Sequence, residues 1–264
     1  MVKTLDKMVS IIESFTKVKN VWSLRDLSAH LGMPKPSLYR FLVSFEHYGI
    51  LQRCDNESNW SLGYCLFIWG SHVPQVATLQ QITRPFLRDL VSKTGETAVL
   101  TVYNNLEVIC IDKIESKHTV RQELTVGERR VPYAGATSKI HMAYISEDEV
   151  NAIIQNGLRK FTDKTVTDPD ELKAQLARIR REGYSFTCEE RDPGVWGLAA
   201  PIQDDMGRVV AAIGLIGLAF RLEKDMVPHY IQLCCHMVKK IEEVLCGTTQ
   251  TRKPSILDDT STLQ

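Results

Sequence analysis

An α+β chain in two domains, with a winged helix-turn-helix ahead of a mixed sheet-and-helix domain, is predicted by three observations. Two short helical patterns meet at Gly32, and a pair of alternating strand segments comes next between Leu51 and Leu62. A helical stripe of apolar residues then separates this head from the rest. Beyond Gly95 the rhythm changes to β-rich runs joined by short turns and interleaved with helices, the signature of an antiparallel sheet flanked by helices. The divisions are residues 1–62 for the head, 63–78 for a linker helix, 79–246 for the second domain and 247–264 for a disordered tail.

The first helix, from about Thr4 to Phe15, repeats Leu5, Met8, Val9, Ile12 and Phe15 at helical spacing and braces the helix-turn-helix. Ser23, with Asp26 three residues on, starts the next helix at Leu24: the hydroxyl can accept a free amide, and the carboxylate suits the positive end. That helix turns Leu27 and Leu31 inward and closes at Gly32. Pro36 fits the first turn of a second helix, which places Leu38, Phe41, Leu42 and Phe45 on one face. The other face carries Pro36, Arg40, Val43 and His47, flanked by Ser37, Tyr39 and Ser44.

A second helix with such a hydroxyl-rich, arginine-bearing face suits entry into a DNA major groove. Leu51 and Arg53 alternate, as do Trp60 and Leu62, around a turn from Asp55 to Asn59, which reads as a wing. Candidate DNA contacts are Arg25, Lys35, Pro36, Ser37, Tyr39, Arg40, Ser44 and Arg53. From Met1 to Leu62 eight Lys and Arg stand against six Asp and Glu, an excess of two. So mild a charge calls for two heads on one site to gather enough phosphate contacts.

Leu62, Leu66, Trp69 and Val73 form the linker stripe, ended by Pro74. It either packs on its own domain or pairs with a second copy, and periodicity leaves both open. A helix from about Leu79 to Lys93 ends at Gly95. Strands are expected at Thr97–Tyr103 and Glu107–Ile114 around Asn104-Asn105, with a third at Val120–Val126 before a turn at Gly127. Helices are expected over Gly135–Ile145, from near Glu147, and over Pro169–Arg181 up to Gly183. Strands at Tyr184–Cys188, Val195–Gln203 and Arg208–Leu218 precede a last helix from about Glu223 to Leu245, with Val227, Ile231, Cys234, Val238, Ile241 and Leu245 on one face.

With 264 residues, 44% hydrophobic and 24% charged, and no formal net charge, the chain has the composition of a globular protein long enough for two cores. The longest apolar run, Val209 to Phe220, is too short to span a bilayer, and no signal peptide opens the chain, so a cytoplasmic location without membrane contact is expected. Seven cysteines, an odd number with no metal-ligand pairing, read as reduced thiols. Catalytic motifs are missing: there is no Gly-x-Ser-x-Gly elbow, phosphate loop, His-Glu-x-x-His or Cys-x-x-Cys. His141 reads as a satisfied core residue and Glu189, Glu190 and Asp192 as an exposed acidic turn. No enzyme, cofactor or metal site is expected.

The second domain offers a small-ligand site instead. Gly135, Ala136 and Thr137 place free amides at a helix start, where an anionic group could dock. Gly197, Gly214 and Gly217 interrupt apolar strands, either for close approach of a ligand or merely for a bulge. An enzyme or metabolite-binding protein that carries a helical hairpin unrelated to DNA is the alternative reading.

The ordered series of Met33 to Leu42, Gly95-Glu96-Thr97, Ala134 to Lys139, Arg180 to Tyr184 and Gly194 to Ile202 resembles the IclR family of bacterial transcription regulators, over nearly the whole chain to Leu245. The resemblance implies a GAF-like effector domain, a homodimer or homotetramer, a double-stranded DNA operator, and control, in the repressing sense, of a catabolic operon by a small organic acid or related metabolite. It departs at Pro36, where Ser or Thr is usual, and at Ser138, where Gly precedes the lysine. Positions that hold a small carboxylate in the family read Thr187, Gly197, Gly214 and Ile216, where an acidic residue, a cysteine and two serines are expected. With Gly135, Ala136, Thr137 and Val195 these are the candidate effector contacts, and they point to a roomier, less polar pocket than a two- or three-carbon acid needs.

Overall fold

The computed structural model describes residues 3–54, 59–72, 74–122 and 124–250. The chain divides into two compact units, residues 1–77 and 78–264. In the first, α1 (Lys3–Lys17), α2 (Leu24–Leu31) and α3 (Lys35–His47) pack with a small antiparallel sheet of β1 (Trp22–Ser23), β2 (Leu51–Cys54) and β3 (Asn59–Leu62). The Ser23 hydroxyl accepts the Asp26 amide, and Gly32, left-handed at φ 63°, closes α2. Leu27, Leu38, Leu42 and Phe45 are buried against Ile11, Phe15, Trp22 and Trp60. Phe41 is only half-buried.

Two features of this unit differ from the sequence reading. The sheet has three strands in the order β1-β3-β2, because Trp22 and Ser23 pair with Trp60 and Asn59. Two residues are too few to show alternation. The linker stripe divides as well: α4 (Tyr64–Ser71) turns Leu66, with Leu62, onto the core of its own unit and leaves Trp69 exposed. Val73 and most of the wing turn, residues 55–58, lie outside the described residues.

Pro74 opens α5 (Pro74–Thr94) five residues before the expected start, in the first turn where a missing amide costs nothing. The second unit is built on a six-stranded antiparallel sheet, ordered β6-β5-β4-β9-β8-β7. Its strands are β4 (Thr97–Asn104), β5 (Glu107–Ile114), β6 (Arg129–Arg130), β7 (Ser185–Cys188), β8 (Val195–Gln203) and β9 (Val209–Leu218). Among the described residues of 120–126 none is in a strand. Leu124 is buried whereas Val120 and Val126 are exposed, so that segment has one apolar anchor rather than an apolar face, and residues 129–130 take the edge of β5 instead.

One face of the sheet receives α6 (Ala136–Met142), shorter than expected, all seven of whose residues are buried. Outside it lie α7 (Glu147–Gln155) and α8 (Pro169–Glu182). On the other face is α9 (Val227–Gln250), with Cys234, Met237, Val238 and Ile241 buried; it extends four residues into the segment expected as tail, and residues 251–264 lie outside the described set. Small residues on β8 and β9 let α6 lie close. A Cβ at Gly214 would fall 2.7 Å from Thr137 Cγ2 and 2.8 Å from the Leu198 carbonyl oxygen, and one at Gly197 would fall 3.3 Å from Ala136 Cβ. The glycines therefore make room for a helix.

Gly214→Ala should destabilise the second unit by about 1–3 kcal/mol, the usual range for overpacking a filled core. Gly70→Ala, on exposed α4 with nothing within 4 Å of the added carbon, should be neutral or slightly stabilising. Urea unfolding of both variants distinguishes a packing glycine from a ligand-facing one: unchanged stability of Gly214→Ala would contradict the close fit.

Candidate functional site

On the head, α3 presents Lys35, Pro36, Tyr39, Arg40, Val43 and Ser44 to solvent, with Ser37 half-buried and Arg25 exposed on α2. The Ser44 hydroxyl already donates to the Arg40 carbonyl at 2.9 Å, so its acceptor lone pairs are what it can still offer. Arg53 is held differently from the others. Its Nε donates to both carboxylate oxygens of Glu46 at 3.1 Å, and its guanidinium lies 4.4 Å over the Trp60 ring, against which Tyr39 stands edge-on. This cluster ties the wing strands to α3. Sequence reasoning placed Arg53 with the DNA contacts and passed over Glu46, since a pairing between two elements leaves no local pattern.

In the second unit a small cavity of about 30 Å³, partly open to solvent, lies beside the start of α6. Gly135, Ala136, Thr137, Thr187, Val195, Gly197 and Ile216 come together there. Gly214 does not, because Thr137 covers it. Ile216 and Val195 join Val99, Cys110 and Leu124 in an apolar cluster. Burial pushes the Cys110 thiol up to about 12, which leaves it a packing group.

The opposite wall is polar: Arg130, Glu190, Arg191 and Asp192 line it, and none of these four was a candidate in the sequence. The cavity is accordingly not the roomy one expected from the two glycines: it falls well below ligand pockets, which run from roughly 300 to 1,000 Å³. The helix that the glycines admit occupies the space they leave.

Glu190 is buried instead of lying in an exposed acidic turn, and is ion-paired with the buried Lys139. Its second oxygen accepts the Gly135 amide at 3.1 Å, and Lys139 Nζ also donates to Gln175 Oε1 at 2.7 Å. Burial pulls the lysine below its usual range, against the carboxylate beside it. Glu189, left-handed at φ 59°, accepts the Gly194 amide and pairs with Lys164. The turn that lines the cavity is thus clamped on both sides. His141 is buried and shares a 2.9 Å hydrogen bond with Thr101 Oγ1. Among the described residues no three His, Cys, Asp or Glu side chains cluster to hold a metal ion.

A helix-turn-helix head joined to a sheet domain with a small polar cavity defines a DNA-binding transcription regulator with a ligand-sensing domain. Residues 4–54 match the model of the IclR helix-turn-helix domain, and residues 72–243 match that of the bacterial transcriptional regulator IclR C-terminal domain. The chain belongs to the IclR family of transcription regulators, and not to a class of enzymes.

It is 28% identical to the transcriptional repressor IclR of Escherichia coli K12, over 91% of this chain and 89% of that one. It is 30% identical to the HTH-type transcriptional regulator BhcR of Paracoccus denitrificans, over 84% and 79%. Among solved structures, the Thermotoga maritima IclR superposes with a TM-score of 0.75 at 26% identity, over 93% of this chain and 99% of that one. An IclR homolog from Microbacterium hydrocarbonoxydans, complexed with 4-hydroxybenzoate, shares the fold with a TM-score of 0.82 at 21% identity, over 91% and 98%. No helix among the described residues is long and apolar enough to cross a membrane.

Burial lowers the His141 pKa from 6.5 to about 4. Below pH 6.5 the unfolded chain takes up a proton that the folded one refuses, so this group should cost stability as pH falls from about 6.5 towards 4, on the order of 3 kcal/mol in all. Comparing unfolding free energies at pH 7 and pH 5 for the wild type and for the paired replacement Thr101→Val with His141→Phe tests this. An equal loss in both proteins would exclude His141 as its source.

Proposed function

We propose that this chain is a repressor of a catabolic operon that binds a palindromic double-stranded operator as a homodimer or homotetramer and responds to a small organic acid. In this reading residues 1–62 read DNA, 63–78 link, and 79–246 sense the ligand, in the cytoplasm. The observation that carries it is the open face of α3, with Lys35, Pro36, Tyr39, Arg40, Val43 and Ser44 exposed on the helix that comes after a tight turn and before a braced wing. The curated names of relatives, among them a transcriptional repressor and an acetate operon repressor, favour repression. The bound 4-hydroxybenzoate of one structural neighbour favours a carboxylic acid as effector.

The effector is assigned to the cavity beside α6, in contact with Ala136, Thr137, Thr187, Val195, Gly197 and Ile216. Self-association is assigned to α4, which carries no charged residue and exposes Tyr64, Phe67, Ile68 and Trp69. So much apolar surface on eight residues suits a second copy. Sequencing the genomic fragments that the purified protein retains tests the reading as a whole: enrichment of promoters sharing a palindrome supports it, and unenriched fragments contradict it.

Arg40→Ala should lose about 1–3 kcal/mol of sequence discrimination if the guanidinium reads a base, or weaken all sequences alike with a salt dependence reduced by about one ion if it grips a phosphate. Gel-shift titration at several salt concentrations separates the two, and wild-type affinity would remove Arg40 from the interface. Phe67→Glu with Trp69→Glu should shift the protein towards monomer in sedimentation velocity at micromolar concentration. An unchanged sedimentation coefficient would place the interface elsewhere.

A further inference from the structure

We propose that the Glu46–Arg53 pair is a positioning bracket for DNA reading: it sets the wing and the Tyr39 ring of α3 side by side as one reading surface, and Arg53 serves that surface without gripping a phosphate itself. This rests on α3 as the reading helix. The need for a bracket follows from how little holds the wing. Leu51 and Trp60 are its buried side chains, while Gln52 is exposed and Cys54, Asn59 and Ser61 are half-buried. Two strands of four residues each have little stability of their own.

Arg53 anchors the wing near its outer end. In register it faces Trp60 across β2 and β3, and its guanidinium lies 4.4 Å over that ring. Its Nε donates to both carboxylate oxygens of Glu46 at 3.1 Å. Tyr39 and Glu46 are seven residues apart on α3, so they share one helix face, and Tyr39 meets the same Trp60 ring edge-on at 6.3 Å. Four side chains from α3, β2 and β3 thus form one connected cluster. Within it Tyr39 still presents surface to solvent beside Arg40, whereas Arg53 is turned to Glu46 and Trp60.

The sign of one substitution separates a bracket from a phosphate grip. A carboxylate on α3 repels DNA, so charge alone makes Glu46→Gln bind more tightly. A bracket gives the reverse, because the wing and Tyr39 lose their common anchor. Partial exposure of the pair keeps the effect modest.

Gel-shift titrations of the full-length protein test this on the operator duplex shared by its retained promoter fragments. Glu46→Gln and Arg53→Gln should each weaken binding about three- to tenfold, and the double variant no more than either alone, with the slope of log affinity against log salt unchanged. The reversed pair, Glu46→Arg with Arg53→Glu, should recover part of the binding lost in Arg53→Glu. Circular dichroism melts report whether each variant folds. Should the single variants not fold, the Arg53 Nε–H proton resonance of the wild type decides: unmoved when the duplex is added, it supports the bracket, and a shift as the guanidinium leaves Glu46 for DNA overturns it. Binding by Glu46→Gln as tight as the wild type or tighter, a salt slope reduced by about one ion in Arg53→Gln, additive losses, or no recovery in the reversed pair would each overturn the proposal. Arg40→Ala distinguishes the underlying reading: wild-type binding by that variant would remove the α3 face from the interface, and the bracket with it, whereas weakened binding by Arg40→Ala with none by Glu46→Gln would overturn the bracket alone.

Discussion

Lys139 lies in the middle of a helix buried on every side, and an unpaired ammonium there would be untenable. Glu190 meets that charge, and because the same carboxylate accepts the Gly135 amide, one side chain fixes both the lysine and the entry to α6. The consequences spread outward. The Glu190 carbonyl accepts the Thr162 and Thr165 hydroxyls at 3.2 and 2.7 Å, so the loop before α8 is tied to the same turn. Arg191 and Asp192, next along the chain, are thereby placed on the cavity wall. A structural ion pair thus shapes the cavity.

The sheet meets this helix with small residues rather than with a hydrogen-bonded layer. Gly197, Ala199, Ala212 and Gly214 sit where larger side chains would hold α6 away, and the burial of all seven α6 residues results from that closeness. Apolar contact at short range supplies the attraction, and the ion pair ties the helix to the turn between β7 and β8. A cavity remains where the helix begins and the clamped turn stands off the strands.

The head solves a smaller version of the same problem. A short wing has little core of its own, and it is held to α3 by the Glu46–Arg53 pair and by the rings of Trp60 and Tyr39. The guanidinium that charge counting assigns to DNA is engaged within the protein, whereas Arg40, on the exposed face of α3, points to solvent. Hence the two arginines differ in setting although charge counting treats them alike.

Local physics made much of this protein legible in one dimension. The caps at Ser23 and Gly32, the 3.6-residue stripe of α3, the apolar run of β9 and the ordered motifs all act within a few residues, so they appear as patterns along the chain. They were enough for the winged head, the α+β domain and Gly135, Ala136, Thr137 and Gly197 around the cavity, while Thr187 and Ile216 came from the resemblance to the family. Tertiary structure decided what depends on encounters between distant segments: β1 paired with β3, no strand among the described residues of 120–126, Leu66 turned inward, and Glu190 drawn from an apparent acidic turn to a lysine 51 residues away. Burial and charge pairing are properties of a place in space, and spacing along the sequence carries no record of them. For the same reason the glycines of β8 and β9 could be read from the chain only as room, while the fold determined that a helix fills it.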